Sequence, residues 1–368
     1  MNDASPSPPA RNLRIACIPG DGVGPEVMRP ALLLLEWLKS ERGLPLEIWP
    51  LDLGAERYLR EGVGLPEALK AEIRATASAV LLGAVGDARV PDHAHAREIL
   101  FGLRFGFDLY ANVRPVKALT DALVPLVGRR AADVDWVIFR ENTEGLYAGV
   151  GGQLRRGTTH EVAIEEDVNT RLGVERILRA AFEFARRTGR RLCMSDKSNA
   201  LRHAHDLWQR VFQELRREFS DVEAEHLYID ALCYELVRDP ARFSVMVSCN
   251  LFGDIVSDLA AALGGGLGLA PSANLCPGGQ VPGLFEPVHG SAPGLVGRGT
   301  ANPIAMLRTV GLMLEELGYP GERAALERAC AEALRAGEGT VDVGGGMDTN
   351  AAGAAVLRRF NENLRVGG

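Results

Sequence analysis

No Cys-x-x-Cys pair occurs in this chain. Its six cysteines, Cys17, Cys193, Cys233, Cys249, Cys276 and Cys330, are scattered, mostly among apolar residues. That spacing argues against a zinc site or a disulfide framework and suits buried free thiols. Reduced thiols make a cytoplasmic location the expectation. A basic stripe is also missing. The 41 lysines and arginines stand against 48 aspartates and glutamates, a net charge of -7, so no nucleic-acid partner is expected. No apolar run approaches the ~20 residues that a membrane helix needs, so no membrane partner is expected either. The opening MNDASPSPPARN lacks the apolar core of a signal peptide and reads as a disordered tail, 1–12. Internal repeats and low-complexity blocks are absent.

What is present is ordinary globular composition, 46% hydrophobic and 24% charged over 368 residues. That length suffices for about two domains. Short apolar runs at 13–18, 79–83, 134–140, 191–195 and 244–248 read as buried strands. Helical patterns alternate with them, for example at 174–187 and 204–219, and an apolar stripe runs through Met28, Leu32, Leu35 and Leu38. Alternation of this kind predicts an α/β protein with a largely parallel sheet. The helical pattern at 251–263 stops at Gly264-Gly265-Gly266, which reads as an interdomain joint. Residues 270–300 are rich in proline and glycine and read as an ordered loop region. Two closing helices are expected at 303–318 and 321–336.

Several stretches carry chemistry. Gly20-Asp21-Gly22-Val23-Gly24 follows the first strand, but its third glycine comes one residue too early for a dinucleotide fingerprint. A tight structural turn explains it equally well. Arg104 and Arg114 stand in a mainly apolar stretch, and Arg140 ends a predicted strand. Guanidinium groups grip carboxylates with two parallel hydrogen bonds, and strand ends in α/β sheets are where ligands bind. Lys197 follows another strand, where nearby charge can turn an amine into a proton-transfer group. Asp254 and Asp258 lie four apart on a predicted helix, so both carboxylates face one way. Their repulsion vanishes if a divalent cation uses their oxygens, and Asp230, inside an apolar run, offers a third. The bland alternative is two exposed helix acids. Glu286 to Pro293 packs an acid, an imidazole and small residues into one loop, where backbone can approach a ligand closely. His93 and His95, in Asp-His-Ala-His, read as solvated.

Taken together and in order, these stretches resemble the β-decarboxylating dehydrogenases of the isocitrate/isopropylmalate family. The stretches are GDGVGPE at 20–26, DLYANVRP ending at Pro115, RENTEGLYAG at 140–149 and DKSNAL at 196–201. The others are NLFGDIVSDLAAALGGGLGLAPSANL at 250–275, FEPVHGSAP at 285–293 and ANP at 301–303. The resemblance implies an isopropylmalate dehydrogenase-like two-domain α/β fold with a cleft active site, not a standard Rossmann fold. It makes 13–110 with 265–368 a larger cofactor-binding domain and 111–264 a central substrate and dimerisation domain. It further implies a homodimer whose active sites are shared, Lys197 and Asp230 reaching the partner's cleft. Arg104, Arg114 and Arg140 would hold substrate carboxylates. Asp230, Asp254 and Asp258 would hold Mg²⁺ or Mn²⁺. Lys197 would move the hydroxyl proton, and Tyr147 would protonate the enol carbon. Glu286, His289, Gly290, Ser291, Ala292, Gly294 and Asn302 match the loop around the adenosine half of the cofactor.

Substrate and coenzyme are read from departures within that resemblance. Ile99, Leu100 and Phe101 form an apolar wall before Arg104, where isocitrate enzymes carry a serine and an asparagine. Such a wall suits an alkyl branch, so a 3-alkylmalate such as 3-isopropylmalate, on the way to leucine, is the expected substrate. RENTEG, and Arg97 where a glutamate is usual, keep tartrate or D-malate, then homoisocitrate or isocitrate, as alternatives. Arg97 is expected either to bind a further carboxylate or to pair with Glu98 or Asp92. A silent regulatory subunit is a further alternative, opposed by the retained Lys197, Tyr147 and aspartates. Gly294 and Leu295 stand where NAD enzymes carry an aspartate, and NADP enzymes a lysine and a tyrosine. NAD is expected, with NADP use possible.

Overall fold

The computed structural model describes residues 12–366. The expected disordered tail therefore lies, but for Asn12, outside the described residues. In chain order the first elements are β1 (Leu13–Gly20), α1 (Gly24–Glu41), β2 (Leu46–Pro50), α2 (Ala55–Glu61), α3 (Glu67–Thr76), β3 (Ala79–Ala84) and α4 (Ala94–Gly106). The chain continues through β4 (Ala111–Lys117), β5 (Asp135–Glu141), β6 (Gly151–Leu154), β7 (Val162–Glu165), α5 (Arg171–Thr188) and β8 (Leu192–Asp196). Next come α6 (Ala204–Glu218), β9 (Ala224–Tyr228), α7 (Ile229–Arg238), β10 (Val245–Ser248), α8 (Asn250–Leu263) and β11 (Pro271–Leu275). The last are β12 (Gly283–Pro287), α9 (Ile304–Glu316), α10 (Pro320–Arg335) and α11 (Thr349–Val366).

Two compact units result. The first joins the described residues up to Gly102 with those from Val281 onward; the second is Leu103–Gln280. These divisions correct the boundaries read from the sequence after 110 and 264. The glycine run at 264–266 is not the joint, because the chain beyond it returns as β11 and pairs antiparallel with β4 inside the second unit. The expectation that 270–300 lacks regular structure fails for the same reason. It contains β11 and β12, whose proline and glycine residues sit at strand ends and in the loops between.

In the first unit the strands run in the order β2-β1-β3-β12, all parallel. Ile15 to Ile18 and all of β3 are buried, the continuous apolar pattern of strands covered on both faces. In the second unit the order is β11-β4-β5-β10-β8-β9. Side chains alternate along β5 as the pleat demands. Val137 and Phe139 join a core with Phe182, Trp208 and Phe212 under α5 and α6. Trp136 and Ile138 join another with Leu232, Leu236 and Val256 under α7 and α8. Helix α8 thereby lies along β5 and brings its acids to that strand's C-terminal end. The β6–β7 hairpin is exposed along its whole length and carries Leu154, Val162 and Ile164 into solvent.

Candidate active site

The second unit gathers most of the charged residues expected to act. Arg114 on β4 and Arg140 on β5 are both buried. Buried guanidinium groups need partners for their fixed fork of donors. Arg140 donates its Nε and Nη2 to Asn250 Oδ1 at 3.0 and 2.8 Å, and its Nη1 to Asp254 Oδ1. Gly253 makes this possible, since a Cβ there would stand 2.7 Å from the Arg140 side chain. Arg114 donates to Asn112 Oδ1 and Ser257 Oγ, both at 2.6 Å. Its Nη1 lies 3.4 Å from Asp254 and 3.6 Å from Asp258. Burial pushes the Arg140 guanidinium down to about 9, with Arg114 and Arg104 adding like-charge repulsion. The three expected carboxylate-binding arginines therefore lie within each other's electrostatic field.

Asp254 and Asp258 project from one face of α8, as their spacing requires. Asp258 is held above the usual carboxylate range, first by burial and then by Asp254, against the pull of Arg114. Two hard oxygen donors that repel each other suit a divalent cation. Tyr147, in the loop after β5, donates its hydroxyl to Asp254 Oδ2 at 3.1 Å. Burial, and next the Asp254 charge, raise the phenol above its ordinary value, so it stays protonated at neutral pH.

Lys197 and Asp230 form a separate pair, Nζ to Oδ1 at 2.7 Å. The ammonium holds Asp230 below the usual carboxylate range. Asp230 does not join the other two acids within this chain. Among the described residues no three histidine, cysteine or acidic side chains stand close enough to share a metal ion.

Helix α4 carries the expected wall. Leu100 and Phe101 are half-buried, and Leu100 precedes Arg104 by one turn. Ile99 differs from the expectation: it is fully buried in the core, as is Leu103. Arg97 is exposed, and Glu98, one of its two expected partners, accepts the Gly64 N–H at 2.6 Å instead.

In the first unit the glycine turn after β1 is a structural seat. Val23 N–H donates to Ser291 O at 2.9 Å, and Glu26 Oε1 accepts the Gly297 N–H at 2.8 Å. Gly22 has φ +59°, and a Cβ there would meet Ser291 O at 2.0 Å. The turn thus grips the loop of Glu286, His289, Gly290, Ser291, Ala292 and Gly294. His289 faces Gly290 O at 3.0 Å, and burial lowers its pKa. Ala292 holds the left-handed conformation at φ +40°, rare for a residue with a Cβ. Open space surrounds Gly290 and Gly294. Asn302 Oδ1 accepts the Ile304 N–H at the start of α9 at 3.0 Å, and its amide donates to Asp342 Oδ2 at 3.0 Å. His95 is not solvated as the sequence suggested. It is fully buried and meets Asp21 Oδ2 at 2.8 Å, while Asp21 Oδ1 accepts the Ala55 N–H. The pairing of His95 with Asp21 left no sign in the sequence, because the two residues are 74 apart in the chain.

A profile of the isocitrate/isopropylmalate dehydrogenase family matches residues 14–356. The chain is 47% identical to 3-isopropylmalate dehydrogenase of Thermobifida fusca (strain YX), over 89% of this chain and 92% of that one. It is 44% identical to 3-isopropylmalate dehydrogenase of Clavibacter michiganensis subsp. michiganensis, over 96% and 99%. Among solved structures, isocitrate dehydrogenase from Methylococcus capsulatus superposes with a TM-score of 0.85 at 35% identity, over 95% of this chain and 99% of that one. Fold and matches together make this protein an oxidoreductase, a decarboxylating dehydrogenase. The chain belongs to the isocitrate/isopropylmalate dehydrogenase family.

Proposed function

We propose that this chain oxidises and decarboxylates 3-isopropylmalate in leucine biosynthesis, using NAD and Mg²⁺ or Mn²⁺, as a homodimer. The carrying observation is likeness over nearly the whole chain to proteins named 3-isopropylmalate dehydrogenase, at 43–47% identity. The apolar pair Leu100 and Phe101, one turn before Arg104, supports the same branch-bearing substrate.

Arg104, Arg114 and Arg140 bind the two carboxylates and orient the malate core. Leu100 and Phe101 receive the isopropyl group and keep water from it. A bound divalent cation would supply Lewis acidity at the C2 oxygen, and bound NAD would supply the hydride acceptor. Asp254 and Asp258, with Asp230, are the oxygen donors for that cation. Lys197, as the neutral amine, takes the proton from the C2 hydroxyl. Tyr147, protonated at neutral pH, returns a proton to C3 after carbon dioxide has left. The loop from Glu286 to Gly294, with Asn302, receives the adenosine half of NAD.

The separation of Asp230 from Asp254 and Asp258 supports a site completed by a second copy of the chain. So do the exposed Leu154, Ile164, Tyr234 and Ile255 of the second unit. The retained lysine, tyrosine and aspartates disfavour a silent regulatory subunit. The test is kcat/KM for 3-isopropylmalate, isocitrate, D-malate and tartrate with both coenzymes and Mn²⁺. A methylene in a fitted pocket is worth about 1–3 kcal/mol, so 3-isopropylmalate should exceed D-malate by about tenfold or more. If isocitrate prevails, the proposal fails and Arg97→Ala becomes the informative variant.

A further inference from the structure

His205 is fully buried at the start of α6 and takes no part in the chemistry described above. Its Nδ1 accepts the backbone N–H of Lys197 at 3.0 Å. That bond requires the lone pair on Nδ1 and hence the proton on Nε2. Nε2 stands 3.6 Å from Asp167 Oδ2, and the imidazole holds the Asp167 carboxyl below its usual range. Asp167 Oδ1 in turn accepts from Asn169 at 2.8 Å, and Asn169 Oδ1 accepts from the indole of Trp208 at 2.8 Å. Trp208 is buried one turn after His205 on the same helix. The imidazole ring also packs against Phe252, with centroids 5.5 Å apart.

The rest of the Lys197 backbone is equally fixed. Its carbonyl accepts from Ala200 and Leu201 at 2.9 and 2.8 Å. The preceding Asp196 carboxylate is held by Ser198, Gln209 and His226. The neighbour of Asp167, Val168, accepts the Gly145 N–H at 2.7 Å, at the root of the loop that carries Tyr147. His205 and Asp167 therefore tie the backbone beneath Lys197 to the base of that loop.

We propose that His205, oriented by Asp167, is a positioning residue that fixes the backbone of Lys197 so that its amine meets the substrate hydroxyl. The inference rests on Lys197 being the proton-transfer group. Misplacing a reacting group by ~1 Å costs about 10²-fold in rate, so backbone play under a proton-transfer amine falls on kcat.

The test compares His205→Leu, His205→Asn, Asp167→Ala and Lys197→Met with wild type, using 3-isopropylmalate protonated or deuterated at C2, with thermal melting for each. His205→Leu should lower kcat about tenfold or more while the KM for 3-isopropylmalate changes little, and should raise the deuterium isotope effect. The side-chain oxygen of His205→Asn replaces Nδ1 as acceptor and should restore most of the rate. Asp167→Ala, with the ring left unoriented, should fall between. His205→Asn as slow as His205→Leu at equal melting temperature would overturn the proposal. So would an unimpaired His205→Leu beside an inactive Lys197→Met. Should His205→Leu fail to fold, a wild-type kcat and isotope effect in Asp167→Ala overturn the proposal. A Lys197→Met enzyme at wild-type rate would overturn the lysine's role itself, and this inference with it.

Discussion

The phenol of Tyr147 donates to Oδ2 of Asp254, while Oδ1 of the same carboxylate takes the Arg140 guanidinium. The proposed proton donor and a proposed carboxylate-binding arginine thus meet at one candidate cation ligand on α8. The acid that raises the Tyr147 pKa also aims its hydroxyl. Removing the phenol should therefore separate the two chemical steps. Tyr147→Phe should keep hydride transfer to NAD and slow formation of the 2-oxo acid product, so that the enol left by decarboxylation, or the β-keto acid before it, accumulates. Rapid-quench analysis of a single turnover reads both. Equal slowing of oxidation and product formation would contradict the assignment.

Asp254→Asn removes a charge that two arginines and the proposed cation share. Activity should fall by about 10² or more, and the Mn²⁺ concentration for half activity should rise. Chelation should silence wild type reversibly. Full activity of Asp254→Asn in a chelator would remove the metal assignment altogether.

A Cβ added at Gly294 meets nothing within 4 Å, so the backbone accepts a side chain there. With the adenosine placed as proposed, a carboxylate at this point would accept hydrogen bonds from the ribose hydroxyls and repel a 2′-phosphate. Wild type should prefer NAD with a raised KM and measurable NADP use, and Gly294→Asp should lower the NAD KM and suppress NADP. The quantity to measure is the ratio of kcat/KM for the two coenzymes. An unchanged ratio, or a wild type already selective for NADP, would place the selector elsewhere.

Gly22→Ala tests the seat under the coenzyme loop. Its Cβ would press on Ser291 O, and its φ of +59° disfavours any side chain. Strain of this kind costs about 1–3 kcal/mol, so the melting temperature should drop. Since the displaced loop is the one proposed to receive NAD, the KM for NAD should rise more than that for 3-isopropylmalate. Equal change in both would show that the turn supports the fold alone.

Much of this was legible beforehand where the signal is local. The five apolar runs became strands because parallel strands covered on both faces read as continuous apolar stretches. Asp254 and Asp258 had to share a face because four residues make about one helical turn. The strands missed were those whose logic is not local. Strand β4 carries Asn112, Arg114 and Pro115 inside a sheet, an unlikely composition until its partner is known. It lies between β5 and β11, and on the β11 side Asn112 donates to Asn274 Oδ1 at 2.9 Å, while Asn142 donates to the same oxygen at 3.0 Å.

By itself, then, the sequence determined the alternation of strand and helix, the order of the chemical motifs, the helical acid pair and the family. Tertiary structure alone decided that the chain divides after Gly102 and Gln280, that His95 is buried against Asp21, that Ile99 faces the core, and that Asp230 pairs with Lys197 instead of joining Asp254. For the buried pair of His95 and Asp21 the physical reason is direct. A buried polar or charged group is stable only with a hydrogen-bonding or ionic partner. Asp21 and His95, or Asn112 and Asn274, are separated in the chain by 74 and 162 residues, so periodicity carries no trace of which partner folding will bring.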